Sequence, residues 1–417
     1  MDSLTQITLG AAVGEVVLGK KVGNRAMMWG AVAGTIPDLD VLSNLFVDDI
    51  QALAIHRGFS HSIVFAIITA PIFGWLVYRF YQSGLDRSKL YKGSLTGIGV
   101  LLYLSIFVLA VMMPVIRGNA PGLVSSSIIL VIGVLVVALL WRYYSREWSD
   151  VGEDTTWRGW SWLFFWGVFT HPLLDSLTSY GTQLFLPFSD YRVALNVISV
   201  ADPLYTFPFL ICLIIAFCMT RATPRRAFTN WVGIALSSLY MLYCTHNKFQ
   251  VNSAFEASLR QAEIPYIRYT TGPLIFNNVL WNGTAETADA YYTGMYSIND
   301  KRPYIKFRKI PKNHELLDPY EDTYEIRTLK WFSNNYFSVT QHPDGGYVLN
   351  DLRYGSMNAI KEDENEEPRY VFKFNLIEKN GRLQVSENRE MREDAMDGEG
   401  EGIGDAIKDM WKRGKGI

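Results

Sequence analysis

Six segments of ~20 mostly apolar residues constrain this chain more than any other feature. A segment of this length and composition is typical of a transmembrane helix. Two shorter segments, Ile7–Gly19 and Ala26–Ile36, precede them and are rich in Gly and Ala, which predicts either a small-residue helical hairpin or two short spans. The sequence therefore predicts a polytopic α-helical membrane protein with about eight helices. The six long segments are Ser62–Phe80, Leu95–Ile116, Leu123–Trp141, Trp157–Tyr180, Leu204–Thr220 and Thr229–Cys244.

The polarity of the chain changes after residue 246 and divides it into domains. Residues 1–246 are mostly apolar, whereas residues 247–417 are polar, charged and rich in tyrosine. A predicted helix at Asn247–Ala262, a hairpin signal at 336–349 and a predicted strand at Arg369–Ile377 indicate a C-terminal soluble domain of α+β or β-rich type over residues 247–385. The charged, glycine-rich residues 386–417 are predicted to be a flexible tail.

Basic residues indicate the orientation in the membrane. Lys and Arg cluster in the loops after the first, third, fifth and seventh apolar segments, whereas the other loops carry Arg57, Arg117 and Arg192. Because cytoplasmic loops are enriched in Lys and Arg, the first group is predicted to be cytoplasmic. The N-terminus and the C-terminal domain are then predicted to lie outside the cytoplasm.

Composition excludes two other classes. The net charge of −2 and the lack of a basic stripe argue against nucleic acid as a partner. All three cysteines lie in apolar segments, so the sequence contains neither a disulfide framework nor a thiolate zinc site.

Three clusters of His and Asp are the candidate site. His171 and Asp175 lie four residues apart in the segment 157–180, so they share one helical face. Ionisable residues at membrane depth are costly and indicate function. The other clusters are the pair Asp38 and Asp40 after Pro37, and the pair His56 and His61 around the sequence Arg57–Ser60. The predicted topology places all three clusters at the outward membrane surface, where we expect them to converge on a metal.

The residue types indicate the chemistry. Imidazole nitrogen and carboxylate oxygen suit zinc first, with manganese or iron as alternatives at higher carboxylate content. Six ligands exceed one open tetrahedral zinc site and fit two ions ~3.5–4 Å apart. Asp38, Asp40 and His61 are the predicted catalytic residues, with a metal-activated water as the nucleophile.

Nearby polar side chains complete the predicted site. They are suited to bind an anionic group such as a phosphate. The predicted substrate-binding residues are Arg57, Ser60, Thr178 and Arg192.

Each cluster also has a structural interpretation. His171 and Asp175 can form a buried hydrogen-bonded pair, Asp38 can cap a turn after Pro37, and His56 and His61 can be interfacial residues. The coincidence of all three clusters at one surface favours the metal site.

These motifs resemble one family. The opening Met1–Gln6, the Pro37–Asp40 motif, the His56–Ser62 motif and the His171–Asp175 motif together resemble the bacterial inner-membrane metal-dependent hydrolases of the YdjM type, over roughly residues 1–200. That family is itself distantly similar to zinc-dependent phospholipase C. The resemblance implies a metal-dependent hydrolase of the cytoplasmic (inner) membrane. Many relatives carry a histidine at the position of Gln6, so this chain departs from the pattern there.

Three functions remain open from the sequence. The first is a membrane hydrolase acting on a phosphoester of a lipid or lipid-linked substrate at the outer face, with membrane lipids as partners. The second is a non-enzymatic scaffold or regulatory partner whose soluble domain is the binding module. The third is a metal transporter, which needs polar partners in the cytoplasmic halves of the helices, where the sequence offers few.

Overall fold

The computed structural model describes residues 1–108, 127, 129–131, 133–134, 136–138, 155–301, 304–341, 345–356, 368–379, 382–387 and 403–416. The predicted spans Leu95–Ile116 and Leu123–Trp141 lie partly outside the described residues, and so does most of the predicted tail. The chain forms two compact units, one of Met1–Ala70 with Trp162–Ile417 and one of Pro71–Ser161.

The described helices follow the apolar segments in order. The short 3-10 helices are Pro37–Leu45, Phe59–His61, Leu85–Arg87 and His314–Tyr320. The α-helices are α1 (Ser3–Val22), α2 (Asn24–Thr35), α3 (Asp49–Ile55), α4 (Ile63–Gln82), α5 (Lys89–Phe107), α6 (Trp157–Asp175), α7 (Pro203–Cys218), α8 (Pro224–Gln261), α9 (Tyr324–Phe332) and α10 (Ile403–Gly414).

Helices α1 and α2 pack closely against each other through small residues, and the choice between a hairpin and two short spans stays open. A Cβ on Gly10 would lie 2.9 Å from the Gly34 Cα, and one on Gly14 would lie 3.0 Å from the Gly30 Cα. Glycine at these positions lets the two backbones approach closely. The turn between the helices uses Gly23 at φ 61°.

A buried ion pair joins α1 to α8. The Arg226 guanidinium donates to both carboxylate oxygens of Glu15, at 2.7 and 2.6 Å. Its remaining nitrogen donates to the Asn24 side chain and the Met219 carbonyl. The charges are therefore paired and hydrogen-bonded, as buried charges must be.

Helix α8 is longer than predicted. The sequence predicts separate helices at Thr229–Cys244 and Asn247–Ala262, but one helix of 38 residues spans both. No Gly or Pro lies between residues 234 and 261, so nothing in the sequence breaks the helix. Its last turns carry Val251, Phe255 and Leu259 into a core with Trp281.

The C-terminal region contains two four-stranded antiparallel sheets, β1-β2-β3-β4 and β5-β6-β7-β8. The predicted hairpin is confirmed, since β5 and β6 pair with Phe337 opposite Asp351. The predicted strand at Arg369–Ile377 corresponds to β7, which begins later. The strands are β1 (Arg268–Pro273), β2 (Leu280–Glu286), β3 (Ala290–Ser297), β4 (Arg308–Pro311), β5 (Phe337–Gln341), β6 (Tyr347–Asp351), β7 (Lys373–Lys379) and β8 (Arg382–Glu387).

The second sheet packs against elements from the N-terminal region. Its core includes Leu329 and Phe332 of α9 together with Ile50 of α3, and Tyr180 packs against the same cluster. Helix α10, within the predicted tail, is joined to the first sheet's region through Arg413, which donates to Asp300 at 2.8 and 3.0 Å.

The unit Pro71–Ser161 contains the second half of α4 and all of α5. Tyr81 stacks on Trp160 with ring centres 5.4 Å apart, and Phe80 contacts Tyr91 at 5.1 Å.

One helix in the described part of the chain, α4, is long and apolar enough to cross a membrane by length and composition. Helix α7 is apolar but has only 16 residues. The polytopic arrangement therefore stays a prediction.

Candidate metal centre

Three separate segments bring four predicted ligands together. Asp38 lies on the 3-10 helix Pro37–Leu45, His61 ends the short 3-10 helix before α4, and His171 and Asp175 lie on the last turns of α6. One ligand atom from each of these four side chains lies within 4.8 Å of all the others. The predicted convergence is therefore present for these four residues.

Five of the six distances between the four ligand atoms lie close to those of a tetrahedral metal site. The His61 Nε2 and His171 Nε2 atoms are 3.2 Å apart. The Asp38 Oδ1 atom lies 3.3 Å from His171 Nε2 and 3.6 Å from His61 Nε2, and Asp175 Oδ2 lies 3.5 Å from each imidazole. Tetrahedral bonds of ~2.0–2.1 Å separate ligand atoms by ~3.3–3.4 Å. The buried Asp175 Oδ2 lies 3.1 Å from Arg57 Nε but meets the geometry of no hydrogen bond from the described residues, and two imidazoles with two carboxylates are a donor set that fits a divalent cation.

Hydrogen bonds behind the imidazoles orient them toward this centre. His171 Nδ1 is 2.6 Å from the Gly34 carbonyl oxygen, so we assign the proton to Nδ1, which donates to that carbonyl. His61 Nδ1 lies 3.3 Å from Asp40 Oδ2 and 3.1 Å from Ser60 Oγ. With Nδ1 held from behind, each Nε2 faces the centre and would ligate a bound ion in place of the contacts that it makes here with Asp38 and Asp175, the arrangement found behind metal-bound histidines.

Asp40 and His56 lie outside the cluster of four. Asp40 Oδ1 is 3.0 Å from His56 Nδ1, and its Oδ2 accepts from the Arg57 amide at 2.8 Å and the Ser60 hydroxyl at 3.2 Å. Asp40 thus sits behind His61 and holds the loop 56–61. A direct ligand role for Asp40 and His56, and with it a second ion, stays a prediction.

Arg57 lies beside the cluster. Its Nε is 3.1 Å from Asp175 Oδ2, and its Nη1 donates to Thr178 Oγ1 at 3.0 Å. The backbone of Arg57 has a φ of 56°, a left-handed conformation that costs free energy and that clusters at functional sites. Its amide bond to Asp40, and its carbonyl bond to the Gln183 amide at 3.0 Å, maintain that conformation.

The predicted helix Trp157–Tyr180 ends earlier than expected, at Asp175. The Thr178 amide and hydroxyl both donate to the Asp175 carbonyl, at 3.0 and 2.7 Å. This local capping by a Thr side chain competes with continued helix. Thr178 consequently faces Arg57 rather than the lipid side of a helix.

Arg192 lies further from the cluster. The Arg57 and Arg192 guanidinium carbons are each 4.9 Å from the centre of the Tyr180 ring, and Arg192 also lies 4.8 Å from the Trp331 ring. Arg192 has no ion-pair partner among the described residues, and burial lowers its pKa to about 10. Its predicted role in substrate binding remains untested.

Close contact between the carboxylates and the imidazoles shifts the pKa values of both. Burial opposes ionisation of Asp38, but hydrogen bonds with His171 and His61 outweigh it and hold its pKa below the ordinary value. Burial likewise opposes ionisation of Asp40, whose pKa is held low by hydrogen bonds with His56 and His61. Burial lowers the pKa of His61, but Asp175, Asp38 and Asp40 together raise it to about 10.

The cluster opens on one side. The His61, His171 and Asp175 side chains are fully buried, whereas 24% of the Asp38 side chain is exposed. Asp38 is therefore the one of the four ligand side chains that is in contact with the surroundings of the protein.

Comparison with known proteins identifies the family. The family model described as YdjM inner membrane protein matches residues 1–114 and 125–250, which include all six predicted ligands. The chain belongs to the YdjM inner membrane protein family. The predicted resemblance is thus confirmed, and the protein is an inner membrane protein.

A curated relative and the solved structures add little more. Over 88 residues the chain is 30% identical to "Inner membrane protein YbcI" of Escherichia coli (strain K12), an overlap of 21% of this chain and 51% of that protein. The chain therefore spans about half the length of this relative. No solved structure matches.

Some residues at the site were missed by the sequence analysis. Gln6 Nε2 donates to Asp175 Oδ1 at 2.9 Å and contacts the His171 carbonyl at 3.3 Å, and the Met1 ammonium contacts the same Asp175 oxygen. Gln6 belongs to the opening motif, but its neighbours in the fold are some 165 positions away. The Gly34 carbonyl is a backbone group, so no residue type in the sequence indicates its contact with His171.

Proposed function

We propose that this protein is a membrane-embedded, metal-dependent hydrolase that acts on a phosphoester of a lipid or lipid-linked substrate. The observation that carries the proposal is the set of four ligand atoms from three distant segments within 4.8 Å. Asp38, His61, His171 and Asp175 would hold the ion, and zinc suits two imidazoles and two carboxylates.

The chain's own residues would prepare the reaction. A bound divalent metal supplies Lewis-acid chemistry and lowers the pKa of water to ~7. Asp40 and the Gly34 carbonyl fix the two imidazoles, so the site is preorganised before substrate arrives. Four protein ligands complete a tetrahedral zinc site, so a catalytic ion would take water as a fifth ligand or in place of Asp38, the one ligand side chain that is partly exposed.

Arg57 is the residue best placed to bind a phosphate. Its guanidinium lies 3.1 Å from Asp175 Oδ2 and is nearly as buried as the Asp175 side chain. Arginine binds phosphate oxygens through charge-assisted hydrogen bonds. Ser60 lies beside His61 and Thr178 accepts a hydrogen bond from Arg57, so both would support this phosphate subsite. Arg192 would act indirectly, because it contacts the Tyr180 ring that also contacts Arg57.

We also propose a multi-pass arrangement with both termini outside the cytoplasm. The family membership, the apolar helix α4 and the alternation of basic loops support it. Alkaline phosphatase fused after residue 417 is then expected to be active, since it folds only outside the cytoplasm. An inactive phosphatase beside a fluorescent cytoplasmic reporter at the same position would reverse the orientation.

Elemental analysis tests the metal site. Detergent-purified wild type is expected to contain about one equivalent of metal and to cleave a phospholipid, and His171→Ala is expected to lose both because one of four ligands is gone. His246→Ala is the matched control, since His246 is exposed and lies outside the cluster. Equal metal content in wild type and His171→Ala would refute the site.

The scaffold alternative makes the opposite prediction. If the protein is a non-enzymatic partner, His171→Ala and Asp38→Ala preserve its function, and deletion of residues 250–380 abolishes it. Phospholipid cleavage that depends on His171 separates the two functions.

A further inference from the structure

The 3-10 helix Pro37–Leu45 has three distinct faces. It runs for nine residues, which is long for this type of helix, and residues three apart in a 3-10 helix lie on the same face. Pro37, Asp40 and Ser43 form the face turned toward the protein. Asp38 lies on the second face.

The third face is an exposed stripe of leucines. Leu39, Leu42 and Leu45 are 54%, 53% and 74% exposed, and Phe46 directly after the helix is 84% exposed. Leaving large apolar side chains in water forgoes the free energy gained by burial. A contiguous patch of this kind marks an interaction surface.

The position of the helix indicates what covers this stripe. His61, which shares the metal cluster with Asp38, is followed two residues later by the start of α4, the apolar helix long enough to span a membrane. The helix Pro37–Leu45 therefore lies at the level where α4 leaves the lipid. Because the family is an inner membrane family, lipid is available at this level.

A second loop contributes apolar side chains at the same level. The Ile63 amide, at the start of α4, donates to the Leu184 carbonyl at 3.0 Å. This hydrogen bond fixes the loop after residue 183 to the first turn of α4. Phe185 and Phe188 of this loop are exposed, and so is Phe59 beside His61. These three phenylalanines add exposed apolar side chains around the start of α4.

We propose that four exposed side chains insert into the acyl-chain region of the membrane next to α4: Leu39, Leu42, Leu45 and Phe46. The substrate stays anchored in the same lipid leaflet while its phosphoester reaches Asp38. The substrate class is therefore a membrane-resident amphiphile rather than a water-soluble phosphoester. The lipid contact rests on the exposed stripe, whereas the substrate class rests also on the proposed hydrolase function. The cluster opens on the Asp38 side, and the stripe lies on the adjacent face of the same helix.

The lipid contact is tested without activity. A nitroxide is attached in Leu42→Cys and, as the control, in Gln51→Cys on an exposed position of α3, both in a Cys212→Ser, Cys218→Ser, Cys244→Ala background of the full chain. The protein is reconstituted in vesicles of phosphatidylethanolamine and phosphatidylglycerol. We expect the Leu42 label to collide with oxygen, which dissolves in lipid, and the Gln51 label to collide with a water-soluble paramagnetic chelate. Equal access of the chelate to both labels overturns the contact, and shielding of the Leu42 label from both reagents overturns it in favour of a protein partner.

The substrate class is tested with a pair of substrates. We compare cleavage of a vesicle-borne phospholipid and of bis(p-nitrophenyl) phosphate by wild type, Leu42→Ser/Leu45→Ser and the apolar control Leu42→Phe/Leu45→Phe. The serine variant is expected to lose roughly tenfold or more on the phospholipid and to keep its rate on the soluble ester, because two lipid-embedded side chains are removed. Equal rates of all three on both substrates overturn the substrate class. Wild type that cleaves neither overturns the hydrolase function, while the nitroxide measurement still decides the lipid contact.

Discussion

At the scale of single residues, the candidate site depends on side chains that are not among the four ligands but hold those ligands in place. Asp40 illustrates this, because it accepts hydrogen bonds from the Arg57 amide and Ser60 and lies 3.3 Å from His61 Nδ1. One carboxylate thereby sets both the ring orientation of a ligand and the left-handed backbone of Arg57. Asp38, two positions earlier in the chain, is the carboxylate that would ligate the ion.

Asp40→Asn is therefore expected to weaken metal binding by ~10–100-fold without removing a ligand, since the partner behind a metal-bound histidine sets its orientation and basicity. A competition titration against a chromophoric zinc chelator measures the affinity. Asp48→Asn is the control, because Asp48 caps α3 through the Gln51 amide at 2.8 Å and asparagine caps a helix as well as aspartate does. Identical affinities for wild type and both variants would show that Asp40 does not support the site.

At the scale of secondary-structure elements, the packing of α1 against α2 is coupled to the candidate metal site. Gly34 packs closely against Gly10, and its carbonyl accepts a hydrogen bond from the His171 imidazole. Gln6, on the first turns of α1, holds Asp175. The separation of the two helices therefore fixes the hydrogen bonds behind two of the four ligands.

Gly10→Ala is expected to lower stability by ~1–3 kcal/mol and to weaken metal binding, because the added methyl overlaps the backbone of α2 and displaces Gly34. Thermal unfolding of the detergent-solubilised protein and the chelator titration measure the two effects. Gly97→Ala, on α5, is the matched control; its Cβ meets nothing within 4 Å, so stability is expected to stay equal or to rise slightly. The same midpoint for both variants would contradict the coupling.

At the scale of the whole molecule, the C-terminal region is joined to the segments that build the site. Trp331 Nε1 donates to the Asp190 carbonyl at 3.1 Å, and the Trp331 ring lies 4.8 Å from the Arg192 guanidinium carbon. Arg192 in turn contacts Tyr180, whose other neighbour is Arg57. A continuous series of contacts thus runs from α9 to the residue beside Asp175.

Trp331→Ala is expected to loosen this contact, because a half-buried cation–π contact and one exposed hydrogen bond are lost, together ~1–2 kcal/mol. Amide hydrogen exchange in the segment 180–195 and in α9 is expected to accelerate. Trp411→Ala serves as the control, since Trp411 is 72% exposed on α10. Unchanged exchange in the segment 180–195 would mean that the C-terminal region does not hold the site.

The sequence by itself determined the properties that depend on composition and local period. Long apolar runs and a change in polarity predict the apolar helices and a strand-containing C-terminal region, and the spacing of His171 and Asp175 places both on one helical face. Spaced Gly and Ala predict either a helical hairpin or two short spans at α1 and α2, and the four motifs indicate the family. These features are encoded within a few turns of chain.

Only the tertiary structure decided which groups meet. It separates Asp38 from Asp40, brings Gln6 and the Gly34 carbonyl to the ligands, and joins α9 to Arg192 across some 140 positions. The sequence could not predict these contacts because each depends on the packing of segments far apart in the chain, and because a backbone carbonyl has no residue signature. The periodicity of a helix fixes which side chains share a face, whereas the distance between two faces is fixed only when the whole core is packed.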